Sequence, residues 1–217
     1  MIFEIFSRLM YLMAKWSFRI PLLLFFGFRV KGVENLPNKG AFIFASNHVS
    51  YMDPGIIGAF SNRQFFFITS DHLYKNRLAA LWYHSTGCIR IKRGRPDHSA
   101  MKKVFSLLRS GKPIAIFPEG TRSADGQIKG AFLGIGFMAL KARVPVIPCL
   151  IKGSDKALPR GAKNFKFGRV EVAIGSPIPP TDPNGCVGRK EAYRAFSIKV
   201  MDSIAKLDKI TQEGSAS

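Results

Sequence analysis

From residue 30 onward, short β-branched or aromatic runs alternate with stretches of helical periodicity, and this alternation restricts the fold more than any other feature. Strands are expected over 41–46, 65–69, 88–92, 114–117, 144–151 and 169–174, each bounded by Gly, Pro or Asn. Helices are expected over 54–60, 74–85, 97–109 and 131–142, with Asp97 capping the third and Gly111 and Pro113 ending it. Tyr193, Phe196, Val200, Ile204 and Leu207 keep helical spacing, which predicts a last helix over 188–210. Strands alternating with helices fold as an α/β domain around a largely parallel central sheet flanked by helices. A chain of 217 residues is long enough to bury one such core. No repeat, low-complexity tract or internal linker divides it, and residues 212–217 are expected to form a flexible tail.

Residues 1–30 stand apart as an amphipathic segment. Their longest charge-free run, residues 20–28, is short beside the roughly 20 residues of a spanning helix, and it contains Pro21. On a helical wheel Glu4, Arg8, Lys15 and Arg19 fall within roughly 60° of one another. Phe3, Ile5, Phe6, Leu9, Met10, Leu12, Met13, Trp16 and Phe18 occupy most of the remaining circumference. A narrow basic stripe on a broad apolar helix predicts a monotopic element lying in a membrane interface, and its positive charge favours the anionic cytoplasmic leaflet. The competing reading is a helix packed on the protein's own core.

Net charge is +19 at an apolar fraction of 47%, so the chain is globular and attracts polyanions. Nucleic acid, anionic lipid, a phosphorylated substrate and an acidic carrier protein all fit that field. The three cysteines, Cys88, Cys149 and Cys186, are widely spaced and contain no CxxC pair. They exclude a disulfide framework or a cysteine zinc site, and no metal is expected.

Three stretches carry chemistry. In SNHVSYMDP (46–54) Pro54 favours the first helical position, which would make Asp53 an N-cap. On a continuous helix His48 and Asp53 would point about 140° apart, so they meet only if the segment turns. If it does, Asp53 can fix the histidine tautomer and His48 becomes a base–orienter pair; otherwise the segment is a helix cap with a surface histidine nearby. In FPEGTRS (117–123) a strand ends in a Pro–Gly turn bearing Glu119, Gly120, Thr121 and Arg122. Backbone amides, a hydroxyl and a guanidinium there suit a phosphate monoester, or simply form a solvated turn. In GCIRIKRG (87–94) alternation puts Arg90 and Lys92 on one face, with Ile89, Ile91 and Arg93 on the other.

These stretches in this order, followed by VPVIP (144–148), resemble the four blocks of the glycerolipid acyltransferase family, and most of all its bacterial 1-acylglycerol-3-phosphate acyltransferases. The resemblance spans about residues 31–175 and implies an acyltransferase domain over 31–211. It implies transfer of a fatty acyl group from acyl-CoA or acyl carrier protein to the sn-2 hydroxyl of lysophosphatidic acid, giving phosphatidic acid. It implies His48 as general base, Asp53 as its orienter, and Arg93 with Glu119, Gly120, Thr121 and Arg122 as the glycerol phosphate site. Asn47 and Lys92 are further candidates beside them. No cofactor is expected beyond the acyl donor, and the partners implied are membrane lipids, lysophosphatidic acid and the donor. The expected location is the cytoplasmic face of the inner membrane. A thioester is already activated, so the chemistry needs a base and an oxyanion donor and neither metal nor covalent intermediate.

Other signals are weaker. Gly134-Ile135-Gly136-Phe137-Met138-Ala139 fits the G-x-G-x-x-A dinucleotide pattern, but no strand directly precedes it, so helix packing is the better reading. His72, His84 and His98 lack metal-ligand spacing. Two other functions remain to be weighed. One is an acyltransferase for another acceptor, such as a lyso-amino-acid lipid or glycerol 3-phosphate. The other is a basic nucleic-acid-binding module, against which the aromatics sit in apolar runs rather than among Lys and Arg.

Overall fold

The structure is a computed structural model that describes residues 2–74, 76–92, 97–120, 134–159, 164–181 and 188–213. A long helix, α1 (Ile2–Phe25), leads into a short strand β1 (Arg29–Lys31). Then β2 (Ile43–Ser46), α2 (Asp53–Phe60), β3 (Phe66–Ser70), α3 (Arg77–Ser85), β4 (Cys88–Ile91), α4 (His98–Arg109) and β5 (Ile114–Ile116) alternate. After α5 (Gly134–Ala142) come β6 (Val146–Lys152), a four-residue helix α6 (Ser154–Ala157), β7 (Glu171–Ile174) and α7 (Arg189–Glu213). The strands form one sheet in the order β1-β7-β6-β2-β5-β3-β4, parallel throughout except where β7 runs antiparallel to β6.

The sheet is the middle of three layers because its central strands are apolar on both faces. Ile43 and Ala45 of β2, with Ile114 and Ile116 of β5, face a core shared with Val104 and Leu108 of α4, Ile135 and Met138 of α5, and Phe196 and Ile204 of α7. Phe42 and Phe44 point the other way, toward Leu22 and Phe26 near the end of α1, and Ile56, Ile57 and Phe60 of α2. Each such fully buried Phe or Ile contributes about 1.5–3 kcal/mol relative to leaving it exposed.

Gly136 explains the glycine-rich run in α5. A Cβ there would lie 2.0 Å from the Tyr193 carbonyl oxygen of α7, and its own amide donates to Ser197 Oγ at 3.1 Å. The run is a helix-packing device, the reading its sequence context favours.

Several expected boundaries move for local reasons. The helix expected over 74–85 starts at Arg77, because Asn76 Oδ1 accepts from the Ala79 amide at 2.8 Å and caps it there. Asp97 caps α4 as expected, its carboxylate accepting from Ala100 N. Those amide hydrogen bonds hold the Asp97 carboxyl below its ordinary range. Strand β1 has no counterpart among the expected strands: two of its three residues are basic, so it lacks the apolar alternation that signals a strand. The last helix runs on to Glu213, past its expected end at 210, so residues 212 and 213 of the expected tail are helical, while 214–217 and residues 131–133, expected at the start of α5, lie outside the described residues.

Helix α1 partly inverts the usual arrangement of an amphipathic helix, although Phe18 and Leu22 pack on the core. Its polar side faces the protein: Ser7 Oγ donates to Ser85 O, Tyr11 Oη to Arg63 O, Lys15 Nζ to Ser61 O at 2.7 Å, and Arg19 Nη1 to Ala59 O at 3.2 Å. Ala59 and Ser61 lie at the C-terminal end of α2, where carbonyls lack helical partners and the helix dipole is negative. Burial pushes the Lys15 ammonium below its ordinary value, with Arg19 beside it adding to the effect. Leu9, Leu12, Met13, Trp16, Ile20 and Leu24 are left exposed on the outer side. Among the described residues no helix is long and apolar enough to cross a membrane.

Candidate active site

The loop between β2 and α2 leaves the C-terminal edge of the sheet, where parallel α/β folds place their sites. Its first residue, Asn47, is anchored to the neighbouring strand: its side-chain amide donates to Ile151 O at 2.9 Å, and its carbonyl oxygen accepts from Ile151 N at 2.8 Å. This two-point contact continues the β2–β6 pairing past the end of β2 and holds the loop start rigid.

Asp53 then turns the loop back on itself. One oxygen, Oδ2, lies 2.8 Å from His48 Nδ1 and also accepts from the amides of Val49 and Ser50 at 2.8 Å each. The expected N-cap role is therefore corrected. Met52, already in helical conformation, occupies the cap position, and Asp53 is the first residue inside α2. Its carboxylate serves loop amides upstream of the helix instead of amides within it.

This geometry fixes a tautomer. Oδ2 receives two backbone N–H groups that can only donate, so it carries no proton, and the facing Nδ1 must be the N–H partner. Nε2 of neutral His48 is then the lone-pair nitrogen. Asp53 is wholly buried while His48 keeps 18% of its side chain exposed, so the pair has a sheltered anion and a ring reachable from solvent. Phe117, following β5, stacks on the imidazole with ring centroids 4.0 Å apart and planes 17° from parallel, fixing the ring's plane as Asp53 fixes its rotation.

Glu119 is also brought to this loop. Its Oε1 accepts from the His48 amide at 3.1 Å, and its side chain is 5% exposed. Gly120 closes the same turn, with its amide donating to Phe117 O at 3.0 Å and φ at +67°. The structure thus unites Asn47, His48, Asp53, Glu119 and Gly120 at adjacent strand ends. Lys92 is exposed beyond β4, its amide donating to Asp97 Oδ2. Ile89 is buried and Arg90 exposed, as alternation along that strand requires. Arg93, Thr121 and Arg122 lie outside the described residues.

Some contributors to this arrangement have no signal in the sequence. Phe117 sits in a quoted stretch but nothing in the pattern marks it as a platform for His48. Ser154, whose hydroxyl donates to Asp53 Oδ1 at 2.7 Å, comes from 101 residues away. Among the described residues, burial pushes the Cys88 thiol up to about 11 and the fully buried Cys149 thiol higher still, which disfavours the thiolate at both. Cys186 lies outside the described residues. Among the described residues no group of His, Cys, Asp and Glu could hold a metal ion.

A mostly parallel sheet covered by helices on both faces, with a histidine–carboxylate pair on the loop after a central strand, defines a class, and the chain belongs to the Acyltransferase family, whose model matches residues 27–152. The 1-acyl-sn-glycerol-3-phosphate acyltransferase of Bacillus subtilis is 27% identical over 175 residues, covering 80% of this chain and 84% of that protein. The chloroplastic 1-acyl-sn-glycerol-3-phosphate acyltransferase of Arabidopsis thaliana is 30% identical over 169 residues, or 76% of this chain. The chain spans about half of that plant relative's length, 47%. The crystal structure of the 1-acyl-sn-glycerophosphate acyltransferase PlsC from Thermotoga maritima superimposes with a TM-score of 0.74 at 27% identity, covering 94% of this chain and 79% of that one.

Proposed function

We propose that the protein transfers a fatty acyl group from a thioester, acyl-CoA or acyl carrier protein, to the sn-2 hydroxyl of 1-acylglycerol 3-phosphate, giving phosphatidic acid. The observation that carries this reading is the His48–Asp53 pair, held by the Val49 and Ser50 amides so that Nε2 is the free base. Nε2 takes the proton of the acceptor hydroxyl as its oxygen attacks the thioester carbonyl. Asp53 stabilises the imidazolium that results. Collapse of the tetrahedral intermediate expels the thiolate, which recovers the proton from His48, so neither an external acid nor a metal enters the balance. Arg93, Thr121 and Arg122 are assigned to the acceptor phosphate. Glu119 and Gly120 shape the same region by fixing the His48 amide and the turn after β5.

Residues 1–30 are assigned to the membrane and 31–211 to catalysis. The outward apolar side of α1 supports this, since its polar side is already used against α2 while Leu9, Leu12, Met13, Trp16 and Leu24 are exposed. Phe165 and Phe167, 58% and 77% exposed, extend the apolar surface at the end of α1, with Phe167 5.7 Å from Phe25. The net charge of +19 supports assigning this surface to the anionic cytoplasmic face of the inner membrane. A fatty acceptor dissolved in that membrane reaches the site without crossing water.

The test is His48→Ala with lysophosphatidic acid and each donor in turn. The expected loss is at least about a hundredfold, the low end of general-base catalysis, with vesicle binding retained. Near-normal turnover removes His48 from the role. Turnover of a lyso-amino-acid lipid or glycerol 3-phosphate in place of lysophosphatidic acid reassigns the acceptor.

A further inference from the structure

The far oxygen of the Asp53 carboxylate meets a residue to which no role has been given. Oδ2 is committed to His48 and two loop amides, while Oδ1 accepts from Ser154 Oγ at 2.7 Å. Both Asp53 and Ser154 have no exposed surface, so water cannot readily take the place of the hydroxyl. A buried carboxylate oxygen left without a donor carries the full desolvation penalty of a charged group.

The position of Ser154 is fixed independently of Asp53. Strand β6 ends at Lys152, and Gly153 turns the chain with φ at +82°, a left-handed conformation. A Cβ on Gly153 would stand 1.9 Å from the Arg169 carbonyl oxygen, so only glycine fits there. The turn that follows is closed by Ala157 N donating to Gly153 O at 2.9 Å and Leu158 N to Ser154 O at 3.0 Å. It is tied to the catalytic loop at two further points, by the paired Asn47–Ile151 hydrogen bonds and by Ser50 Oγ donating to Leu158 O at 3.2 Å. Ser154 is thus built on the end of β6, which pairs directly with β2, the strand that carries His48.

We propose that Ser154 is a positioning residue that, by donating its hydroxyl to Asp53 Oδ1, locks the carboxylate in the orientation that presents Oδ2 to His48. A carboxylate held through one oxygen alone can swing about its Cβ–Cγ bond and lengthen the contact between Oδ2 and His48. With both oxygens committed to donors, on the loop after β2 and on the turn after β6, that swing strains several hydrogen bonds at once. Ser154 touches neither substrate nor reacting atoms, and it acts through Asp53. The inference rests on the acyltransferase reading for its kinetic consequence, though not for the spectroscopic one.

The experiment uses full-length protein in detergent micelles with three measurements. Ser154→Ala is expected to lower kcat about tenfold, the low end of what loss of a charge-assisted hydrogen bond supports, with KM for lysophosphatidic acid unchanged within about twofold. Ser154→Thr, which keeps the donor, is expected to retain most of kcat. Equal losses in the Ala and Thr variants would show that bulk and not the hydrogen bond matters, and would overturn the proposal. In a His48→Ala background, Ser154→Ala is expected to add nothing, because residues acting through one network are not additive. A further tenfold loss there sinks it. The third measurement needs no substrate. With 15N-labelled histidine, wild-type His48 is expected to show one neutral tautomer with its Nδ1–H proton shifted downfield by the bond to Asp53, and in Ser154→Ala that proton resonance moves upfield as the bond loosens while the tautomer stays. Unchanged resonances refute the inference even in an active enzyme. Changed resonances in a protein that never acylates lysophosphatidic acid would leave Ser154 in place and remove only the substrate.

Discussion

Replacing Asp53 by Asn removes the charge of the orienting group while leaving most of its hydrogen bonds available. The two loop amides, from Val49 and Ser50, accept nothing, so they select the amide oxygen and turn the NH2 group toward Ser154, whose hydroxyl can accept. His48 Nδ1–H therefore still finds an oxygen at the same place, and the tautomer survives. What disappears is attraction between the carboxylate and the imidazolium formed as the acceptor proton moves. With Oδ2 at 2.8 Å from Nδ1 the charge centres lie about 4 Å apart, where an effective dielectric of about 20 gives about 4 kcal/mol. That corresponds to about a thousandfold in kcat. The assay is initial-rate kinetics with lysophosphatidic acid in mixed micelles for wild type, Asp53→Asn and Asp53→Ala, beside the 15N spectrum of His48. The expected pattern is a fall in kcat with KM held and the Nδ1–H tautomer retained in Asp53→Asn but lost in Asp53→Ala. A kcat for Asp53→Asn within about tenfold of wild type would refute the electrostatic argument. Loss of the tautomer in that variant would refute the claim that the backbone amides choose the oxygen.

Two further outcomes follow from other layers of the molecule. Trp16→Ser with Leu24→Ser replaces two exposed side chains of α1 and is expected to weaken partition onto anionic vesicles about a hundredfold or more, at about 1.5–3 kcal/mol for each large apolar group buried in lipid. Vesicle flotation that does not change would place the membrane contact elsewhere. Gly136→Ala drives a methyl into the Tyr193 carbonyl where α5 meets α7. It is expected to cost about 3 kcal/mol, lowering Tm by about 6–12 °C in a melt read by circular dichroism, and an unshifted Tm would mean that the two helices part easily.

Much of the fold is legible in the residues because its signals are local. The central strands are short apolar runs whose two faces are both buried, and the helices after them carry caps such as Asp97, so each announces itself within a few positions. Where two local signals compete, the pattern is less decisive. Pro54 pointed to Asp53 as a cap, yet the helical conformation of Met52 moved the start by one residue and released the carboxylate for the loop. Strand β1 escaped notice because pairing with β7 along its backbone, and not an apolar face, makes it a strand.

Of the site, the sequence by itself marked His48 and Asp53 as a candidate pair and set the condition that the segment between them must turn for them to meet. It also set a basic stripe and a broad apolar arc on α1. Only the tertiary structure decided which side of that helix faces inward: the unsatisfied carbonyls at the end of α2 draw Lys15 and Arg19 toward the protein, and Leu9, Leu12, Met13 and Trp16 of the apolar arc are left outside. It also decided that Phe117 stacks on His48, that Glu119 holds the His48 amide, and that Ser154 completes the shell of Asp53. These contacts join residues 69 to 101 positions apart, and they exist because β2, β5 and β6 lie side by side in the sheet. Periodicity records which face of an element is apolar, whereas strand order, which sets what meets across the sheet edge, follows from the packing of all the layers together.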